Sequence, residues 1–326
     1  MTFLNKKFAV TVSIVVLVVL VVLVLFSIFF WGKQFTSQSP KVRIGVIKSL
    51  VSYNYYIAKE KGFLNNLDFE EINFKSSNEL LDAMIRQEVD ITPVISIIPI
   101  LSAQNTTEVN IKCYAVSADT IQNPQEQIIA KKDVVLNSPK DFENKKIGVF
   151  PGTTNSNILK AFLRNNNVDL NKVEIIPLAP NLQLASLEKG SIDALDAYEP
   201  ELTIGIQKNG FVKKYDSIYS QFFNPSPHAC GAISGDFIQK NPEISKKIVD
   251  NFKSSYDFSI QDPIEARKII GKAFNLDEQI KDKVFIRNYN FTDKIDIENF
   301  QKYTDFLYEI DEIKQKVDVK NLIYSN

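Results

Sequence analysis

Residues 145–167 read KKIGVFPGTTNSNILKAFLRNNN, and the fold turns on how they are parsed. A short β-rich run, KKIGVF, breaks at Pro151-Gly152 and restarts as a helix-patterned segment opened by Thr and Asn. That is a strand–loop–helix unit. A helix begun this way presents free backbone N–H groups and the positive end of its dipole at the tip of a sheet, which suits anions and polar ligands. Downstream, VEIIPLA (173–179) reads as the next strand. A helix ending in LEKGSIDA (187–194) and a strand, DALDAY (193–198), follow ahead of Glu199-Pro200.

Upstream the same grammar has already run once. KVRIGVI (41–47) is a strand, a loop passes through Ser49 and Ser52, and YYIAKEKGFL (55–64) is a helix ending near Gly62. FEEINFK (69–75) is a strand, Ser76-Ser77 caps the helix NELLDAMIRQ (78–87), and VDITPVI (89–95) is a third strand. IKCYAVS (111–117) and QEQIIAKK (125–132) follow as strands. Strands alternating with helical patterns predict βαβ units and largely parallel sheets. Two such halves, each with helix N-termini at a sheet edge, can face each other across a cleft. NPSPHACGAISG (224–235) reads as a return crossing with ACGAIS (229–234) as its strand. The remainder is helical, opened by Pro242 and Pro263 and closed by IENFQKYTDFLYEI (297–310).

Composition bounds the chemistry. The 326 residues are 44% hydrophobic and 24% charged with net charge −1, which argues for a globular protein and against nucleic-acid binding. A single histidine, His228, removes most metal and His-triad chemistry. The two cysteines, Cys113 and Cys230, form neither a C-x-x-C site nor a disulfide scaffold, and their pairing stays open at this level. No zinc spacing, no cofactor motif and no G-x-S-x-G elbow is present, so no catalytic group, metal or cofactor is expected. At the amino terminus Lys6 and Lys7 precede an apolar run over residues 8–31. As a helix it would span about 36 Å, enough to cross a bilayer. The expectation is a cytoplasmic segment 1–7, an uncleaved transmembrane anchor 8–31 and a polar linker 32–40, with the remainder on the extracytoplasmic side.

AKEKGFL (58–64), VDITPVISIIPIL (89–101), SPKDFENKKIGVFPGTTNSN (138–157), LEKGSIDALDAYEP (187–200), GDFIQKNPE (235–243) and VDVKNLI (317–323) run in one order along the chain. In that order the chain resembles the solute-binding proteins of ABC importers for nitrate, sulfonates, taurine and thiamine-precursor pyrimidines. The resemblance implies an α/β, two-lobed type II periplasmic-binding-protein clamp with hinge strands. Lobe one would combine 41–135 with 226–326, and lobe two would span 136–225. It further implies a monomer that delivers a small molecule to a permease and its ATPase. A sensor ectodomain with the same clamp is the alternative, and a pyrimidine-synthase-like enzyme a remote one.

Ligands in open α/β sheets gather at the carboxyl ends of parallel strands. Those positions are Ser49, Ser52, Tyr53, Ser76, Ser77 and Thr92 in the first half, and Gly152, Thr153, Thr154, Asn155, Asn181, Tyr198 and Glu199 in the second. Thr153, Thr154 and Asn155 are the leading candidates, as donors converging at a helix start, although plain N-capping explains them too. Tyr53, with Tyr55 and Tyr56 beside it, offers rings for stacking. Glu199 could accept from a ligand N–H or cap the helix that Pro200 begins. His228 could reach the cleft mouth. The tyrosines and Glu199 tilt the expected ligand toward a thiamine-precursor pyrimidine or related heterocycle over a sulfonate- or nitrate-type oxyanion.

Overall fold

The structure, a computed structural model, describes residues 17–24, 26, 40–104, 109–122 and 124–325. The chain divides into two compact units, Met1–Pro40 and Lys41–Asn326. In the first unit residues 17–24 and 26 are helical. Among the described residues no helix is long and apolar enough to cross a membrane. The rest of the expected anchor lies outside the described residues.

The second unit opens with β1 (Val42–Ile47), α1 (Tyr53–Glu60), β2 (Phe69–Phe74), α2 (Ser77–Ile85), β3 (Ile91–Ser96), α3 (Ile97–Ala103) and β4 (Ile111–Asp119). It continues with β5 (Gln127–Ala130), β6 (Lys146–Val149), α4 (Thr153–Asn165), β7 (Glu174–Pro177), α5 (Pro180–Lys189), β8 (Ala194–Ala197), α6 (Glu201–Gln207), β9 (Val212–Tyr215) and α7 (Ile218–Phe222). It returns through β10 (Ser226–Ser234), α8 (Gly235–Lys240), α9 (Pro242–Gln261), α10 (Pro263–Ala273), α11 (Glu278–Lys281), β11 (Asn290–Phe291) and α12 (Ile297–Glu309). A six-stranded sheet has the order β11-β4-β10-β3-β1-β2 and a five-stranded sheet the order β7-β6-β8-β5-β9.

Both sheets are mixed, which corrects the largely parallel expectation. The βαβ units pair in parallel, β1 with β2 and β3, and β6 with β7 and β8. The strands at the crossings enter the other way: β5 is antiparallel to β8 and β9, and β10 is antiparallel to β3 and β4. The lobe boundary at 135 also needs correction. Ile128 and Ile129 are fully buried, and the β5 backbone pairs with Ala194–Ala197 of the second sheet. The first crossing therefore lies between Asp119 and Gln127, and residues placed in lobe one belong to the second sheet. The return crossing lies between Tyr215 and Ser226.

Helix ends follow local chemistry. Ser76 accepts the Glu79 N–H at the start of α2, while Asp262 and Asp296 do the same for α10 and α12. Gly190 stops α5 with φ +73°, a conformation that costs glycine little. Cys113 on β4 and Cys230 on the neighbouring β10 are disulfide-bonded, with Cα atoms 5.8 Å apart. The α7 segment packs its aromatics on both sides of the return crossing: Phe222 meets Phe162 of α4 and Phe306 of α12, at 6.2 and 5.8 Å between ring centroids.

Candidate ligand-binding cleft

A cavity of about 60 Å³ lies between the sheets. The six-stranded side contributes Ile47, Val51, Ser77, Val94, Ser96, His228, Ala229 and Arg287 to its wall, and the other side Phe150, Asn155, Tyr198 and Tyr219. The wall is mostly apolar, with a few polar groups placed to orient a ligand, the usual make-up of a small-molecule site.

Arg287 is its dominant charge. It lies in the loop before β11, is only 7% exposed, and among the described residues pairs with no carboxylate. Its Nη1 sits 3.0 Å from His228 Nε2. A guanidinium has only donors, so Nε2 must be the acceptor and the ring proton belongs on Nδ1. Burial, reinforced by the Arg287 charge, pushes the His228 pKa well below its usual value, and the ring is neutral at physiological pH. The Arg287 carbonyl accepts the Tyr53 hydroxyl at 2.6 Å, which ties this loop to α1.

Polar groups line the remainder. Ser77 Oγ accepts the Ser96 N–H at 3.0 Å. Asn155, in the first turn of α4, donates to Tyr198 Oη at 2.7 Å and to Asp196 Oδ2 at 3.3 Å. Gly152 caps α4 with φ +103°, and a Cβ there would sit 3.0 Å from Asn78 Oδ1 across the cleft. A side chain at this position would both strain the backbone and hold the lobes apart.

Of the expected site residues, the cavity brings together Ser77, Asn155, Tyr198 and His228. Tyr53 and Glu199 line a smaller adjoining cavity that also touches Arg287. Thr154, two residues after Gly152, is buried, and its hydroxyl has no partner among the described residues. The Thr153 side chain lies outside the described residues. Ser49 and Ser52 are buried in the β1–α1 loop, whose Val51 faces the cavity instead. Ser76 is spent on capping α2.

Four expectations are corrected. Thr92 is fully buried at the start of β3, its hydroxyl donating to the Val94 carbonyl at 2.9 Å, and it does not reach the cavity wall. Asn181 lies exposed in the first turn of α5, four residues past the end of β7. Tyr55 and Tyr56 serve lobe packing rather than the cleft: Tyr55 is fully buried and donates to Glu71, and Tyr56 packs edge-on against Phe274. Glu199 takes its capping role, accepting from the Thr203 N–H and hydroxyl and from the Phe285 N–H; Pro200 is the cap residue and not the first helical one.

Arg287 and Tyr219 went unnoticed in the sequence. One signal was there: in VFIRNYNF (284–291) the arginine is the sole charge in a largely apolar and aromatic run, and a charge so placed needs a buried role.

Two mixed sheets joined by two crossings around an enclosed, mostly apolar cavity define a two-lobed binding protein. Residues 50–266 match the NMT1/THI5-like family, and the chain belongs to it. Over 295 residues it is 23% identical to the putative aliphatic sulfonates-binding protein of Bacillus subtilis, spanning 88% of this chain and 86% of that one. Its fold matches the alkanesulfonate-binding protein SsuA from Xanthomonas axonopodis pv. citri bound to MOPS (TM-score 0.70, 15% identity, covering 88% and 99% of the two chains). It also matches the periplasmic nitrate-binding protein NrtA from Synechocystis PCC 6803 (TM-score 0.63, 12% identity, covering 88% and 92%). These relatives are binding proteins, and the chain is a binding protein rather than an enzyme.

Proposed function

We propose that the chain captures a small organic anion of the short-chain sulfonate class and hands it to an ABC importer. The observation that carries this reading is Arg287, a buried cation in the cleft wall with no carboxylate partner among the described residues. An unpaired buried charge is costly, and a native protein retains one where a ligand supplies the counter-charge. The sulfonate head would sit on Arg287, with Ser77, Ser96 and Asn155 completing its hydrogen bonds. Its carbon chain would lie against Ile47, Val51, Val94 and Phe150. A cavity of about 60 Å³ favours a compact ligand. The names of the relatives, with sulfonate and nitrate among their ligands, agree with an oxyanion.

Of the tyrosines behind the heterocycle reading, Tyr55 and Tyr56 pack inside lobe one, whereas Tyr53 stays at the smaller cavity with Glu199. Phe150 and Tyr198, 6.0 Å apart at the main cavity wall, are further rings for it. Delivery across a membrane agrees with the apolar run at 8–31, which would anchor the chain with its globular unit outside. The Cys113–Cys230 disulfide also fits an oxidising compartment.

A thermal-shift screen with ethanesulfonate, taurine, nitrate and a thiamine-precursor pyrimidine tests the reading, since a ligand of the native state raises Tm with concentration. Stabilisation by ethanesulfonate or taurine is expected. Stabilisation by the pyrimidine alone would replace the anion by a heterocycle, and silence across the panel would remove this solute class.

A further inference from the structure

Behind the proposed anion site the protein is acidic. Asp119 ends β4, Glu126 precedes β5, and Asp196 lies on β8; they are 0%, 1% and 4% exposed. Each is one contact from the cavity wall. Asp196 Oδ2 accepts from Asn155 at 3.3 Å, and Glu126 Oε1 accepts the N–H groups of Ile218 and Tyr219 at 2.6 and 3.4 Å. Asp119 accepts the Ser217 hydroxyl at 2.7 Å and the N–H of Gln125, a residue of the small cavity beside Arg287, at 3.0 Å. Glu126 and Asp196 are near enough that the Asp196 charge adds to the upward shift of Glu126. Among the described residues no N–H or O–H donor satisfies Glu126 Oε2 or Asp196 Oδ1.

Resting on the anion-site reading above, we infer that this buried carboxyl trio determines ligand charge: it admits a monoanion, disfavours a dianion, and couples anion capture to the uptake of a proton from solvent. One guanidinium balances one negative charge. A second negative charge would meet only carboxyls in a low-dielectric wall, where like charges repel strongly. The trio can answer the first charge by holding a proton more tightly.

The neighbouring groups leave this response to carboxyls. Burial raises the pKa of Tyr198 just after β8, Tyr219 on α7 and Tyr303 on α12, and lowers that of His228 on β10, so all four are neutral at physiological pH. Arg287 is the cation whose charge reaches Asp119. Glu199, at the far end of the small cavity, is also pushed up by burial and adds to the same sign of field. Burial raises Asp119 to about 7 and Asp196 to about 6, and raises Glu126 in the same direction, with Asp196 and Asp119 adding to the shift.

An anion on Arg287 raises these values further, so its affinity is highest below about pH 6 and falls as pH rises through the ligand-free pKa values and past 7. For a one-unit rise the loss is about tenfold.

Calorimetric titration of the full-length chain with ethanesulfonate, a permanent monoanion, and sulfate, a permanent dianion, between pH 5.5 and 8.5 tests the inference. Ethanesulfonate should bind about tenfold more tightly at pH 5.5, with a heat that varies with the buffer's ionisation enthalpy, and sulfate should bind far more weakly at pH 8.5. Asp119→Asn and Asp196→Asn should flatten the pH slope and narrow the gap between the two anions. Ethanesulfonate binding that is independent of pH and buffer would overturn the inference and leave the anion site standing. Absence of binding by either anion at every pH would overturn the anion site and the inference with it. Should the variants fail to fold, carboxyl-carbon NMR titration of the ligand-free wild type decides: elevated midpoints uphold the trio, and three ordinary midpoints near 4 overturn it.

Discussion

Arg287 shows how one residue can be costly for stability and central to binding. Its charge is buried without a carboxylate among the described residues, and its neighbour His228, 3.0 Å from Nη1, is neutral. Arg287→Met keeps the stem's packing and removes the charge. Ligand affinity should fall by about 2–5 kcal/mol, while the ligand-free protein should melt at the same or a higher temperature. Calorimetry and thermal melting of the same sample check both halves, and an unchanged affinity would take Arg287 out of the site. Thr154 makes a smaller case. Its buried hydroxyl lacks a partner among the described residues, so Thr154→Val should cost ligand binding about 1–3 kcal/mol with no loss of fold stability. Unaltered binding would mean that the ligand never reaches the start of α4.

Among the elements, β4 and β10 carry the connection between the lobes. They lie next to each other in the six-stranded sheet, one leading out to lobe two and the other leading back, and the Cys113–Cys230 disulfide joins them. The bridged residues are 117 apart in sequence, so the crosslink confines a loop that contains the whole of lobe two. In the chain-entropy account such a loop contributes about 4–5 kcal/mol by limiting the unfolded chain. Denaturant unfolding with and without reductant should show that difference in stability; a gap near zero would mean that strain or residual unfolded structure offsets the entropy. The α4 element was legible from its sequence because strand end, Pro-Gly break and amphipathic helix are contiguous. The β5 assignment failed because QEQIIAKK carries a strand signal but no label for its sheet. Its partners, β8 and β9, arrive more than sixty residues later.

For the molecule as a whole, the buried carboxyls set the direction of the pH response. Asp119, Glu126 and Asp196 have folded-state pKa values above those of an unfolded chain, so the native state binds protons more tightly between about pH 4 and 7. Their contribution to stability is therefore greatest at low pH and declines as pH rises through about 6 to 7. Glu143 works in reverse. The Lys140 ammonium, helped by the Asp169 N–H, lowers it to about 2, and the stability it contributes is lost as pH falls from about 4 toward 2. Together they place the optimum in mildly acid solution, and Tm should be higher at pH 5 than at pH 8. A higher Tm at pH 8 would contradict the high carboxyl pKa values.

The sequence by itself determined the alternation of strands and helices and the helix start at residues 152–155, because those are local properties of spacing, capping and turn chemistry; the two-lobed class came with the family resemblance carried by its ordered motifs. The tertiary structure alone decided which sheet takes β5, which way each candidate side chain points, and what surrounds Arg287. Strand pairing joins residues far apart in the chain, and one position along a strand or helix changes the face. The cleft's single cation and its acidic backing come from separate segments, at 287, at 119 and 126, and at 196, so only folding could set them against one another.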